Sequence, residues 1–347
     1  MGNEILMARR TAQAMPLEHV LCALCDASDE ELLVTKKGFR VVRCRRCRLV
    51  YVNPRPQAEA LAVLYNAAPE GHGAVAGEAV HPGHERYKMR KFQRAVAFIR
   101  AYQPQARHVF DLGCARGAFL ALAASQGWVP YGSDVNPHFV AALQRQYGPR
   151  VQLQQGTRLA FPDAAFDVVT LFDTIEHLPA PLATLHEVRR VLRPGGLCVI
   201  TTPNVEGLFP RCTYRFLGRT LGAWEHPTPP AHLYQFAPHT LRALLDRAGL
   251  PPVAMRTFGI YPPYTALQLE NAVIEAIKHR RSPKPHPPLA ATSHRKDAAA
   301  GAPAHPLRKL PRLGLRVACW ALVGSLYPLA RLCDRSDAML VAARKPA

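Results

Sequence analysis

From residue 86 to residue 202 the chain alternates helical and extended hydrophobic patterns, and this alternation limits its folds more than any other feature. Over 86–102, Tyr87, Phe92, Val96, Ile99 and their neighbours recur at helical spacing. His108-Val-Phe-Asp-Leu112 then reads as a short strand, Gly113-Cys-Ala-Arg-Gly117 as a turn, and the next nine residues as a helix. Val129–Asp134 is a second strand, followed by a helix over 137–147. Phe166–Phe172 is a third strand, and 182–192 a helix stopped by Arg193-Pro194-Gly195-Gly196. Leu197–Thr202 is extended again, and Ala338–Ala343 supplies a final strand. Strands separated by helices of this length pair in parallel, with helices covering both faces of the sheet.

A glycine turn between strand and helix lets backbone N–H groups approach a ligand, and alone it is a weak signal. Two acids sharpen it. Gly113-Cys-Ala-Arg-Gly117 is not the G-x-G-x-x-G that a dinucleotide pyrophosphate prefers. Asp111, just before it, would repel a pyrophosphate but could hold an ammonium group. Asp134 lies 23 residues later at a strand tip, where a carboxylate can accept both hydroxyls of a ribose. The plainer reading is two solvated strand-end acids. A ligand with an ammonium at one end and a ribose at the other is S-adenosylmethionine.

On these residues the sequence resembles the class I S-adenosylmethionine-dependent methyltransferases, in their ubiquinone-type, small-molecule branch. Asp-Leu-Gly-Cys-Ala-Arg-Gly from Asp111, Asp134, Phe161-Pro-Asp-Ala-Ala-Phe-Asp-Val-Val, Leu-Phe-Asp-Thr-Ile-Glu176-His177-Leu, Leu-Arg-Pro-Gly-Gly-Leu and Pro230-Ala-His232-Leu-Tyr-Gln-Phe carry the likeness, in that order. It covers about 85–265 and the last strand. It implies a Rossmann-like α/β fold with a seven-stranded, mostly parallel sheet. It implies cofactor contacts at Asp111, Gly113, Cys114, Ala115, Gly117, Asp134, Val135, Thr157, Phe172 and Asp173. Two positions depart from the pattern: Ala115 replaces a common glycine, and Thr157 stands where an acid often reaches the adenine amine. His177 falls beside the acceptor pocket and His232 in a nearby loop. Either could be a general base, histidine being suited to neutral pH. Against this, His177 could close the loop over the cofactor, and His232 could be structural.

Ahead of this core, Cys22-Ala-Leu-Cys25 and Cys44-Arg-Arg-Cys47 are separated by eighteen residues. Two such pairs supply four thiolates to a tetrahedral, structural Zn²⁺, with two short strands between them. Four buried free cysteines are the alternative. The element, about 19–55, resembles the zinc ribbon that precedes bacterial methyltransferases of unassigned substrate. Lys36, Lys37, Arg40, Arg43, Arg45, Arg46 and Arg48 crowd it. They could face a nucleic acid, or compensate the −2 charge that four thiolates leave around zinc.

The chain of 347 residues has a net charge of +19, which invites a nucleic-acid reading. Nine of those charges fall in the Pro-rich stretch 278–316, whose middle is expected to lack order. The domain reading is thus 19–55, a core over 85–265, an insertion over 266–335, and the last strand over 336–345. Val317–Ala330 is apolar for 14 residues, too short to span a bilayer. With Arg308, Lys309, Arg312 and Arg316 ahead of it, segment 308–333 could rest on a membrane, or close over the acceptor pocket as a lid. The first residues lack the apolar stretch of a secretory leader, and Leu6 stands where N-myristoylation wants Ser or Thr. The expected location is therefore the cytoplasm, peripheral at most to the inner face of the membrane.

Three functions compete. The first is methyl transfer to a small-molecule, sugar-linked or lipid-linked acceptor. The second is methylation of RNA or DNA through the basic ribbon. Base amino methylation commonly places Asn/Asp-Pro-Pro-Tyr/Phe at the strand-four exit, where this chain has Phe172-Asp-Thr-Ile-Glu-His, and its Pro-Pro-Tyr comes only at Tyr264. The third is a non-catalytic zinc-bearing binding module.

Overall fold

The computed structural model describes residues 15–66, 84–224, 226–259, 262–281 and 310–347. Most of the basic Pro-rich stretch, from 282 to 309, lies outside the described residues. The chain opens with strands β1 (Leu17–Glu18), β2 (Glu30–Lys36), β3 (Phe39–Cys44), β4 (Val50–Val52) and β5 (Arg55–Pro56), then helix α1 (Ala58–Asn66). The alternating core follows as α2 (His84–Tyr102), β6 (His108–Leu112), α3 (Ala118–Ser125), β7 (Val129–Asp134), α4 (Pro137–Tyr147), β8 (Val151–Leu153), β9 (Phe166–Phe172), α5 (Pro181–Val191) and β10 (Leu192–Pro203). Next come α6 (Leu208–Thr213), a π turn over Tyr214–Gly218, α7 (Arg219–Leu221), β11 (Tyr234–Gln235), α8 (Pro238–Arg247) and β12 (Pro252–Phe258). The chain ends with α9 (Pro262–Arg281), α10 (Leu310–Leu332) and β13 (Ala338–Arg344).

Seven strands form one sheet in the order β12-β13-β10-β9-β6-β7-β8, with β13 antiparallel to both neighbours and the other pairings parallel. This is the largely parallel, helix-covered sheet expected from the alternation, in the seven-stranded Rossmann-like form that the resemblance implied. Period-two side chains divide its core. Val169, Leu171, Cys198, Ile200, Met339 and Val341 face α5 and α8, where Leu185, Val188, Leu241 and Leu244 cover them. Val168, Phe172, Leu197, Val199, Leu340 and Ala342 face Phe92, Val96 and Ile99 of α2 and Phe119 of α3.

The N-terminal element is not an isolated hairpin. β11, from the far side of the core, adds to it as a fourth strand in the order β11-β4-β3-β2, with Tyr234 opposite Tyr51. Cys22, Val42, Leu49 and Tyr51 share one buried cluster with Leu185 and Leu241. Arg247 of α8 grips the first cysteine turn, donating to the Leu24 carbonyl and pairing with Asp26 at 2.8 Å. The ribbon's cations also have partners at the start of β2 and just before it. Arg43 Nε lies 2.6 Å from Glu31 Oε1, and Arg40, Arg45 and Arg48 approach Glu30, Asp29 and Glu31.

Candidate functional site

Gly113 leaves β6 with φ +82°, and a Cβ there would fall 2.6 Å from Thr174 Oγ1, so only glycine fits. The Gly113 and Cys114 N–H groups both donate to the Ser133 carbonyl, at 2.8 and 3.0 Å, which joins the turn to β7. Gly117 (φ +77°) starts α3, where a side chain would collide with Leu143. Ala115 takes a left-handed φ of +46°, a conformation that costs an L-residue ~1 kcal/mol. Its N–H donates to Asp134 Oδ2 at 2.8 Å, which offsets that cost.

Asp134 Oδ1 accepts the Asn136 N–H at 2.9 Å. Both carboxylate oxygens are thereby aimed by backbone donors, and each keeps a lone pair for a hydroxyl. Asn136 caps α4 through its side chain and also donates to the Tyr65 carbonyl at 3.3 Å. Asp111 is buried and accepts a 2.6 Å hydrogen bond from Thr170 Oγ1. Burial pushes its carboxyl up to about 7, against the opposing pull of Thr170 and Lys88. A cation placed beside Asp111 would relieve that desolvation by favouring the charged form.

Val135 follows at the tip of β7, 36 % exposed. Thr157 is exposed on a turn held by Gln154, whose N–H binds the Asp134 carbonyl and whose side chain binds the Gly156 and Arg158 carbonyls. Arg190 of α5 secures the following loop through the Leu159 and Phe161 carbonyls and Asp163.

At the end of β9 the Phe172 side chain meets Phe92 at a tilt and Phe119 edge-on, and its carbonyl accepts from Thr174 Oγ1 at 3.2 Å. Asp173 turns outward with φ +50°, accepts from Thr201 Oγ1 at 2.9 Å and pairs with the buried Lys91 of α2. Burial works against its charge, but the Lys91 ammonium holds the carboxyl below its usual range. Glu176 has the opposite balance. Burial and the Asp173 charge push it up to about 8, Thr202 Oγ1 donates to Oε2 at 3.0 Å, and Oε1 meets no partner among the described residues.

His177 Nδ1 lies 2.8 Å from the Ala231 carbonyl. A carbonyl only accepts, so Nδ1 carries a proton. The Tyr65 hydroxyl, 3.2 Å from Nδ1, donates to the same carbonyl at 3.0 Å. The His232 ring meets His177 edge-on at 4.6 Å between centroids. Ligand atoms of Glu176, His177 and His232 lie within 4.8 Å of one another, close enough to share a cation.

Two groups of site residues are thus each drawn together, Asp111–Asp134 with the glycine turn and Glu176–His177–His232. Thr174 ties the turn to the β9 exit, donating to the Leu112 carbonyl at 3.2 Å. Tyr65, Lys91, Thr170, Thr174 and Asn136 were not visible as site residues in the sequence. Of these only the Asn136-Pro137 pair carried a signal, that of a helix start.

The four cysteines converge separately. Cys22 and Cys47 sulfurs lie 3.3 Å apart, Cys25 and Cys44 3.5 Å, and all four fall within 4.8 Å. Ligands about 2.3 Å from a tetrahedral Zn²⁺ would be ~3.8 Å apart, so the cluster fits that ion with a small expansion. Burial pushes the Cys22 thiol up to about 11 and Cys47 higher still, while Cys44 is lowered by hydrogen bonds that outweigh burial. A metal would therefore have to drive the ionisation.

A family model described as a methyltransferase domain matches residues 83–254. A Mycolicibacterium smegmatis protein, described as a "probable S-adenosylmethionine-dependent methyltransferase", is 34% identical over 178 residues, 50% of this chain and 63% of that one. A ubiquinone biosynthesis O-methyltransferase of Cereibacter sphaeroides is 30% identical over 159 residues, 43% of this chain and 62% of that one. The chain thus spans about three fifths of the length of these relatives. Among solved structures, a SAM-dependent methyltransferase from Archaeoglobus fulgidus aligns with TM-score 0.43 and 19% identity, over 73% of this chain and 94% of that one.

Proposed function

We propose, since residues 83–254 of the chain belong to the methyltransferase domain family, that the protein is an S-adenosylmethionine-dependent methyltransferase acting on a small-molecule, sugar-linked or lipid-linked acceptor. The observation that carries this reading is the pairing of Asp111 with Asp134. Both carboxyls are buried; Asp111, bound by Thr170, suits an ammonium, Asp134 has both oxygens pre-aimed for vicinal hydroxyls, and the glycine turn lies between them. The Thr157 hydroxyl is the candidate acceptor for the adenine amine.

S-adenosylmethionine, when bound, supplies an already electrophilic methyl group, so the protein's task is alignment and proton removal. His177 Nε2 takes the acceptor's proton, since Nδ1 is committed to Ala231. Asp173, kept ionised by Lys91, favours the imidazolium that results. The O-methyltransferase among the relatives supports a hydroxyl as the methylated group. Support for a small acceptor over nucleic acid comes from the ribbon, where Arg40, Arg43, Arg45 and Arg48 share the three acids Asp29, Glu30 and Glu31.

The test is His177→Ala, assayed as S-adenosylhomocysteine release in the presence of extracted metabolites. Turnover should fall about 10²-fold or more, while S-adenosylhomocysteine affinity stays that of the parent. Undiminished turnover would remove His177 as the base.

A further inference from the structure

We infer that the outer face of α10 is a docking surface for an anionic lipid bilayer. The inner side of this helix is already used. Cys319, Val323 and Ala330 are buried, and Val323 and Leu326 pack on Phe209 of α6 and Ala266 of α9. Its outer side is nevertheless apolar as well. Val317 is 61 % exposed, Trp320 44 %, Leu322 48 %, Leu329 51 % and Leu332 85 %. Leu267 and Ile277 of α9 and Phe216 of the π turn are exposed beside them in the same capping layer. A surface helix normally turns a polar face to water; one that is apolar all round needs a second apolar environment.

Charge selects that environment. No charged residue falls in the 14 positions between Arg316 and Arg331, and α10 contains no acid. Arg331 and Arg335 follow the apolar face at its C-terminal end, exposed Arg215 and Arg219 flank Phe216, and Arg316 at the other end is held by Glu270 of α9 at 2.9 Å. A soluble protein partner would need acids placed to match these, whereas an anionic lipid surface supplies negative charge all around an apolar interior. The 14 residues are about 21 Å long, short of the ~30 Å hydrocarbon core. Among the described residues no helix is long and apolar enough to cross a membrane. The helix therefore lies in the interface plane, with Trp320 at headgroup level and Arg215, Arg219, Arg331 and Arg335 on phosphates. The docking does not depend on the methyl-transfer reading.

Co-sedimentation of the full chain with vesicles tests this, using phosphatidylcholine with and without phosphatidylglycerol. Binding should require phosphatidylglycerol and weaken about tenfold or more at high salt. Trp128 and Trp224 are buried, so a blue shift of tryptophan emission on binding reports Trp320. The double variant Val317→Asp, Leu329→Asp should lose vesicle binding about tenfold or more, with circular dichroism and S-adenosylhomocysteine titration unchanged. The inference is overturned by no binding to anionic vesicles at low salt, or by full binding of the variant. A dimer that the variant dissociates, without vesicle binding, would instead assign the face to a second copy.

Discussion

Asp173 and Glu176 leave the same strand three residues apart and are driven to opposite charge states. Lys91 keeps Asp173 ionised, and that charge, added to burial, holds the proton on Glu176 up to about pH 8. A carboxyl whose folded pKa exceeds its unfolded value retains a proton that the denatured chain has lost. Its contribution to stability therefore falls as pH rises from about 4.5 to about 8. Glu176→Gln mimics the protonated acid, so its unfolding midpoint should lose that decline and match or exceed the parent's at about pH 9. Parallel pH profiles for the two proteins would contradict this assignment. At this scale the sequence was informative where chemistry and spacing coincide. Asp111, Asp134, Glu176 and His177 sit at strand ends, and strand ends were readable. Tyr65 and Lys91 were not, because they reach the site from helices whose packing no local pattern announces.

The ribbon and α1 form a continuous unit whose far end touches the site. β4 pairs with β11, Arg55 donates to the Pro179 carbonyl and Tyr234, and α1 then carries Tyr65 to His177 and Asn136. If the four cysteines hold Zn²⁺, removing it releases not a remote appendage but the strap that orients Tyr65. Purified protein should contain one zinc per chain by elemental analysis. Chelation or Cys44→Ser should lower the unfolding midpoint by about 5–10 °C and make the remaining thiols reactive. Metal-free protein of unchanged stability would show the cluster to be four buried thiols. β9, the second half of β10 and β13 were legible because burial on both faces makes them largely apolar, and β6 and β7 because a glycine turn or a helix start follows each. β8 and β11 are only three and two residues long, and β12 is a polar-patterned edge, so none offered a periodic signal. Where β11 docks is a tertiary choice that the ribbon's own residues do not specify.

Across the whole molecule the charge is divided by place. The chain is +19, yet Asp111, Asp134, Asp173 and Glu176 gather at the ends of β6, β7 and β9. Nine of the positive charges belong to the stretch 278–316, and four ribbon arginines have acid partners. Acidic side chains thus cluster at one end of the sheet, while its accessories are basic. Alternation of the chain accounts for that sheet and for the strand ends that carry the acids; Tyr65, which α1 brings to His177, lies outside what alternation describes. The central claim is that the cleft between Asp111 and Asp134 binds S-adenosylmethionine. Isothermal titration with S-adenosylhomocysteine tests it most directly. One site per chain is predicted for the parent, weakened about tenfold or more by Asp134→Ala. No heat from the parent, or equal affinity in Asp134→Ala, would contradict it.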